Sequence, residues 1–479
     1  MNDRQPGKAA VFAELMRVRN RGELDPDEVT LSGSDPFYAT PYRVGETVAA
    51  AIAAAGVAAN DIWELRTGRR QRISVEVRAA AATLRTVDYT RARQEDGSFA
   101  PVPIADTMAH MLRVTQPWPA RDGKWFLPHL NLPNLCARVL GVLQCENTPH
   151  AISAAVAQWD AEELEEAIAA ARACGGKIRT EEQWLAHPQG QYLAHRPVIE
   201  ITKIGDSPPE PFAPASRPLQ GVRVLDLTRI LAGPIAGRTL AEHGADVLMV
   251  TAPHLPQTPE HVRDTSHGKR SCFLDLREPQ QAQALRELAK GADVFIDGYR
   301  PGRLASLGFG TEELVRLRPG IIRLSVSCFG SGGPWADRAG WEQVAQAVTG
   351  VCHRNGMVTN NGRPKLVFAP LCDYTTGYLG AMGVLLALAR RAREGGSYCV
   401  HVSLCQSAMF TQRQGLLEDF RHAPERLDPA ELNAYTVQSD TCYGVLRTLG
   451  PVLRMSETPP RWALPTPRLG GHLPAWASR

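Results

Sequence analysis

One acid in this chain is set up for chemistry. Asp373 follows an extended apolar run over residues 366–370 and precedes Thr375-Thr376-Gly377, opening a helix-like stretch whose charges are the arginines at its end. At a helix start a carboxylate is favoured by the first-turn N–H groups and by the macrodipole, so the spacing predicts Asp373 as an N-cap acid. Gly377, Gly380 and Gly383 each cost a helix about 1 kcal/mol relative to Ala, which predicts that another segment packs close to this backbone. Two loops suit an anion. Leu231-Ala232-Gly233-Pro234 leads into a helix whose free N–H groups can receive phosphate. Gly298-Tyr299-Arg300-Pro301-Gly302-Arg303 supplies two guanidiniums beside an aromatic ring, and Lys269 and Arg270 add charge nearby. By composition alone, a helix cap on a core helix and basic residues on solvated surface account for the same features. Glu162, Glu163, Glu165 and Glu166 read as a solvated helix face.

Several chemistries are excluded or disfavoured. Gly330-Ser331-Gly332-Gly333-Pro334 lacks the spacing of a dinucleotide fingerprint, the histidines show no HExxH and the ten cysteines no CxxC, so no metal site is expected. With 53 basic and 50 acidic side chains the chain carries no nucleic-acid or membrane footprint. The apolar runs 48–59 and 378–389 are too short to span a bilayer. The first residues show no secretory h-region, and scattered thiols fit a reducing, cytoplasmic setting.

The elements that must position these residues are clearest after residue 218. Strands are predicted at 222–227, 246–250, 271–276, 293–296 and 321–325, with helices at 235–243, 279–289 and 311–317 between them. Strand–helix alternation predicts an α/β fold with a parallel, Rossmann-like sheet covered by helices on both faces, and ligands at the strand ends. Five prolines in residues 206–218 mark an extended linker and the main domain boundary. Before it, residues 1–34 read as a mobile lead-in. Residues 35–205 form a smaller α+β domain with helices at 44–59, 78–85 and 181–185, strands at 72–77 and near 123–127, and a helix from an Asp160 start signal to the Gly175-Gly176 stop.

Read in order, residues 219–228, Leu231-Ala232-Gly233-Pro234, Gly244-Ala245-Asp246-Val247, Gly268-Lys269-Arg270-Ser271, Ala292-Asp293-Val294, Arg300-Pro301-Gly302, residues 346–350, Asp373 with Gly377, and Val402-Ser403-Leu404 resemble class III coenzyme A transferases of the CaiB/BaiF, formyl-CoA transferase-like type. The resemblance implies an interlocked fold and transfer of CoA from an acyl-CoA to a free carboxylic acid. Asp373 would be the nucleophile, passing through anhydrides and an aspartyl-CoA thioester. Leu231, Ala232, Lys269, Arg270, Tyr299, Arg300 and Arg303 would be CoA contacts, with CoA as substrate and no permanently bound cofactor. An acid of pKa near ~3.9 would be ionised without a neighbouring base. Two other readings remain: a catalytically impaired CoA-binding or assembly subunit, and an acyl-CoA epimerase. The epimerase is disfavoured because Gly340-Trp341-Glu342 has tryptophan where its histidine acid/base would stand, although Glu342 could substitute.

The chain departs from the pattern at Leu231, Thr251, Ser306 and His401, and the usual small domain is missing after about residue 410. An internal repeat suggests its source. Residues 40–45 align with 372–377, 68–81 with 395–408, and 197–199 with 451–453, so 35–205 reads as a degenerate partial copy that includes the small domain. In that alignment Pro41 replaces the nucleophile. The copy would pair with the 219–479 core within one chain, as a pseudo-dimer, or across a homodimer.

Overall fold

The computed structural model describes residues 8–477. Its largest sheet has seven strands, ordered Lys269–Phe273, Asp246–Thr251, Arg223–Asp226, Val294–Asp297, Ile322–Ser327, Ser397–Ser403 and Glu200–Gly205. The first six are parallel and the seventh, from the N-terminal half, is antiparallel. The fold is the expected α/β, Rossmann-like one. Val294–Asp297 is buried throughout, as a central strand covered on both faces must be. Strand order reverses between Arg223–Asp226 and Val294–Asp297, so the loops after these two strands meet at the switch point, where open parallel sheets bind ligands. A Cβ on Gly298 would lie 3.7 Å from the Thr228 methyl, so the two loops touch.

The lead-in differs from expectation. Residues 1–7 lie outside the described residues, but Lys8–Arg19 is a helix whose Val11 and Leu15 are fully buried. Its last residue, Arg19, makes two buried bonds of 2.8 and 2.9 Å to Asp61. Val29–Ser32 then joins Ile73–Glu76 in parallel. The polar residues around this narrow apolar stripe hide its periodicity.

Around residues 118–177 a small domain has its own apolar cluster and a three-stranded sheet of Trp118–Pro119, Trp125–Pro128 and Gly175–Lys177. Its helix Ala161–Ala170 stops earlier than the glycines suggest, and Gly175-Gly176 form strand rather than a cap. Asp160 pairs with Arg121 at 2.9 Å instead of capping. The proline-rich linker lies on the core, with the Arg66 guanidinium donating to Pro218 O and the Glu210 amide to Arg391 O.

Two helices of 24 residues each, Val44–Thr67 and Leu371–Glu394, pack against one another at the centre. Both are long and apolar enough to cross a membrane, unlike the shorter runs read from the sequence, yet 89% and 94% of their most apolar windows are buried inside the protein. One constant offset of 327 residues carries Val44 to Leu371, Gly56 to Gly383, Gly68 to Gly395 and Ile73 to Val400. Packing obeys it. A Cβ on Gly56 would meet Ile73 and Leu453, and a Cβ on Gly383 would meet Val400 and Ile199. Sheet surroundings are alike as well, although the neighbouring strands do not keep the offset: Ile73–Glu76 has a parallel neighbour, Val29–Ser32, and an antiparallel one, Arg454–Met455. Ser397–Ser403 likewise lies between parallel Ile322–Ser327 and antiparallel Glu200–Gly205. Each half's closing strand therefore sits in the other half's sheet.

Candidate functional site

Asp373 is the third residue of the Leu371–Glu394 helix, so it does not cap it; Pro370 stands at the cap and offers no side-chain bond. Glu342, at the start of the helix Glu342–Thr349, does that work. Its two carboxylate oxygens accept the Cys372 N–H at 3.2 Å and the Asp373 N–H at 2.7 Å. Gln346, one turn on, donates to Glu342 at 2.7 Å and accepts the Val367 N–H at 2.8 Å. One helix thus pins both ends of the segment that carries the acid.

The Asp373 carboxylate itself is 8% exposed and, among the described residues, takes no hydrogen bond or ion pair. Burial, and then the like charge of Glu342, push its pKa well above the ordinary carboxylate range. Burial raises Glu342 too. Two neighbouring carboxylates in a dry site each disfavour the other's ionisation. This corrects the expectation of an acid ionised without a neighbour's help.

The three glycines are explained by crossings. A Cβ on Gly377 would lie 2.6 Å from Ile235 and 2.7 Å from Ala232 O, one on Gly380 3.2 Å from Leu324, and one on Gly383 2.4 Å from Val400. The first of these brings the helix Ala232–Glu242, and with it Leu231 and Ala232, to within about one turn of Asp373. Ile230, just before, holds φ at 75°, a costly conformation for a β-branched residue and one that marks this loop as strained.

The remaining anion candidates divide. Tyr299 is half-buried, close to the Arg229 guanidinium. Arg300 reaches the N-terminal half, donating to Arg172 O at 2.7 Å. Arg303 is exposed. Lys269, by contrast, is fully buried and spends its ammonium on Asp226 at 2.7 Å and Pro234 O at 2.8 Å. Arg270 makes a double bond pair with Asp246 at 2.8 and 3.0 Å and donates to Ala475 O. These two are internal cross-links of the sheet, and the structure does not bring them to the acid; an exposed-looking Lys-Arg step gives no sign of the acids facing it.

The N-terminal half closes round the site. Tyr374 bonds Thr86 at 2.7 Å and donates to Asp264 at 3.2 Å, and Asp264 pairs with buried Arg238 at 2.8 Å. His129 stacks on Trp341 with centroids 5.3 Å apart and bonds Gln343 at 3.1 Å. A Cβ on Gly176 would lie 2.7 Å from Val348. Sequence alone does not point to Thr86 or Asp264, includes Gln346 only as part of a resembling segment, and gives Glu342 only a secondary place. The one signal is the lone acid in Gly340-Trp341-Glu342 at a helix start.

With this geometry in view, comparison with known proteins is specific. Residues 219–443 match the family described as CoA-transferase family III. An acetyl-coenzyme A transferase, nodX, of Hypoxylon pulicicidum is 34% identical over 61% of this chain and 53% of its own length. Succinyl-CoA:glutarate CoA-transferase of Mus musculus is 32% identical over 42% of this chain and 48% of its own. A CAIB/BAIF family protein of Brucella suis, solved by crystallography, shares 29% identity over 48% of this chain and 65% of its own, with a TM-score of 0.37. The chain spans about half the length of the curated relatives it matches.

Proposed function

Residues 219–443 match CoA-transferase family III, and from that match we propose that the protein moves coenzyme A from an acyl-CoA donor to a free carboxylic acid, with Asp373 as nucleophile. The observation that carries this reading is the Asp373 carboxylate, buried, without a partner among the described residues and one turn from the Leu231–Ala232 loop. In the proposed cycle an Asp373 oxygen attacks the thioester carbonyl, the C–S bond breaks, and CoA leaves as thiolate from an acyl-aspartyl anhydride. The thiolate attacks the aspartyl carbonyl, releasing the donor acid and leaving an Asp373–CoA thioester. The acceptor carboxylate repeats the two steps in reverse.

Asp373 must be ionised to attack; Glu342, whose two oxygens accept the Cys372 and Asp373 N–H groups, holds the helix start in place while it does so. A bound substrate keeps water from Asp373, and an unpartnered carboxylate is more reactive than a hydrated one. Leu231, Ala232, Tyr299, Arg300 and Arg303 are the proposed CoA contacts; Lys269 and Arg270 act through the sheet instead. Glu342 has both oxygens committed to N–H donors, which argues against its serving as the second acid/base of an epimerase.

The N-terminal half supplies the small domain in cis, a reading supported by the exchanged closing strands and by the Arg300–Arg172 contact. One chain would then be a pseudo-dimer with one active site.

The test is intact-mass spectrometry after incubation with acyl-CoA. A CoA adduct on wild-type protein, absent in Asp373→Asn, supports the reading. CoA binding with no adduct from any donor would instead identify a binding subunit, and α-proton exchange without CoA exchange an epimerase. A fully active monomer made of residues 219–479 alone would overturn the cis arrangement.

A further inference from the structure

At the far end of the acid helix lies an open cavity of about 530 Å³, between the two halves of the chain. Twenty residues of helix separate Arg393 from Asp373, or ~30 Å at 1.5 Å per residue. Arg390 and Arg393 line the cavity, and neither has an acid partner among the described residues. Facing them are Arg21, held at 3.0 Å by Asp61 and 2.9 Å by Glu64, and Lys203, held at 2.6 Å by Asp206. Arg19, locked to Asp61, and the buried ring of Tyr398 complete the wall. One carboxylate, Glu394, also lines it.

A solvated helix end explains Arg393, which is exposed, since cations there complement the macrodipole. It does not explain the cavity. Arg390 is half-buried, so its charge has lost part of its water, and a guanidinium in that state is stabilised by an anion. Spaced three apart, the two side chains share a helix face and can grip one ligand together. The cations opposite are fixed by their own acids and add walls that orient, while the two arginines contribute the unneutralised charge.

We propose that this cavity is a binding site for a diphosphate-bearing anion, separate from the transfer site. Two unpaired guanidiniums in reach of each other match two phosphate groups better than one, because each can present a planar donor pair to its own phosphate. The volume admits a nucleoside attached to them, lying toward Ile201 and Tyr398.

Calorimetric titration of the full chain with inorganic pyrophosphate, and in parallel with ADP, tests this. The expected result is saturable binding of pyrophosphate at one site per chain, and for ADP a component of the binding, each weakened at least tenfold in Arg390→Ala/Arg393→Ala and unchanged in Asp373→Asn; ADP binding that survives in the double variant belongs to the transfer site. Tighter binding of ADP assigns a nucleotide and equal binding a bare diphosphate; both support the site. Absence of binding by either probe overturns it, as does equal binding by wild type and the double variant. Arg393→Gln alone, at an exposed position that cannot disturb folding, should weaken binding severalfold. CoA-adduct formation is expected unchanged in both arginine variants, since neither residue belongs to the transfer site.

Discussion

The two central helices start alike and end up doing different work. Offset by 327 residues, Glu46 is the counterpart of Asp373, each the third residue of its helix. Both starts are braced by a foreign carboxylate. Asp35 accepts the Gly45 and Glu46 N–H groups at 3.2 and 2.8 Å, as Glu342 accepts those of Cys372 and Asp373 at 3.2 and 2.7 Å. The braces come from different places in the chain, eleven residues upstream in one case and thirty-one in the other. What separates the centres is a cation. Glu46 is paired with Arg43 at 3.2 Å, and residues 417–425 lie over this end, bonding the backbone of Pro41 and Phe37. Asp373 is buried too, under the N-terminal half, but among the described residues it has no cation. A braced helix start therefore serves as scaffold, and leaving its acid without a partner makes it available for reaction.

The largest expected effect tests that difference directly. Asp373→Asn should lower CoA transfer at least about a thousandfold, the loss expected on removing a covalent nucleophile, while Glu46→Gln leaves it within about twofold. Steady-state rates with one donor–acceptor pair decide; comparable losses in both would break the distinction between working acid and scaffold.

The braces should separate next. Burial raises Asp35 from 3.8 to about 6, so the folded state binds more protons than the unfolded chain across that interval. Stability then falls as pH rises from about 4 to 6 and levels off above, by roughly 3 kcal/mol from this group alone. Asp35→Asn should flatten that slope in denaturant titrations and spare transfer. Glu342→Gln removes the like charge beside Asp373 and so lowers the nucleophile's pKa. The acidic limb of the adduct-formation rate should move to lower pH, with a ~10–100-fold lower rate at neutral pH because glutamine offers one acceptor oxygen to the two helix-start N–H groups and lets the acid shift. An unmoved limb would detach Glu342 from the chemistry.

The smallest effect probes packing. Alanine at Gly383 would put its Cβ 2.4 Å from Val400 Cγ1, whereas at Gly56 the nearest atom is the flexible tip of Leu453, at 3.0 Å. Overpacking by a methyl costs about 1–3 kcal/mol, and the helix preference for Ala over Gly returns about 1. Gly383→Ala should therefore destabilise by about 1–2 kcal/mol and Gly56→Ala by close to nothing.

Much of this arrangement can be read from residue order, and the failures have physical causes. Alternating apolar strands and capped helices mark the Rossmann-like core, with most boundaries displaced by a residue or two. Asp373 is visible because its setting is local: an apolar run, a helix start, three glycines. The sequence repeat misplaces its counterpart at Pro41, since glycine matches pull the alignment five residues out of register, whereas backbone packing keeps 327 throughout. Glu342 stands out less in the sequence because its role depends on a contact thirty-one residues away. Lys269 stands out too much for the converse reason: Asp226, forty-three residues before it, consumes its charge inside the sheet.

The exchanged closing strands carry a consequence for synthesis. Ile73–Glu76 leaves the ribosome early, but its antiparallel neighbour Arg454–Met455 emerges about 380 residues later. At ~5–20 residues per second the edge of that small sheet stays unpaired for roughly 20–75 s. An open edge invites pairing with other chains, so the nascent N-terminal half is the stage at which a chaperone, or slower translation of the C-terminal half, would most change the yield. Glu200–Gly205 waits in the same way for Ser397–Ser403. Neither sheet can be completed until nearly the whole chain has been made.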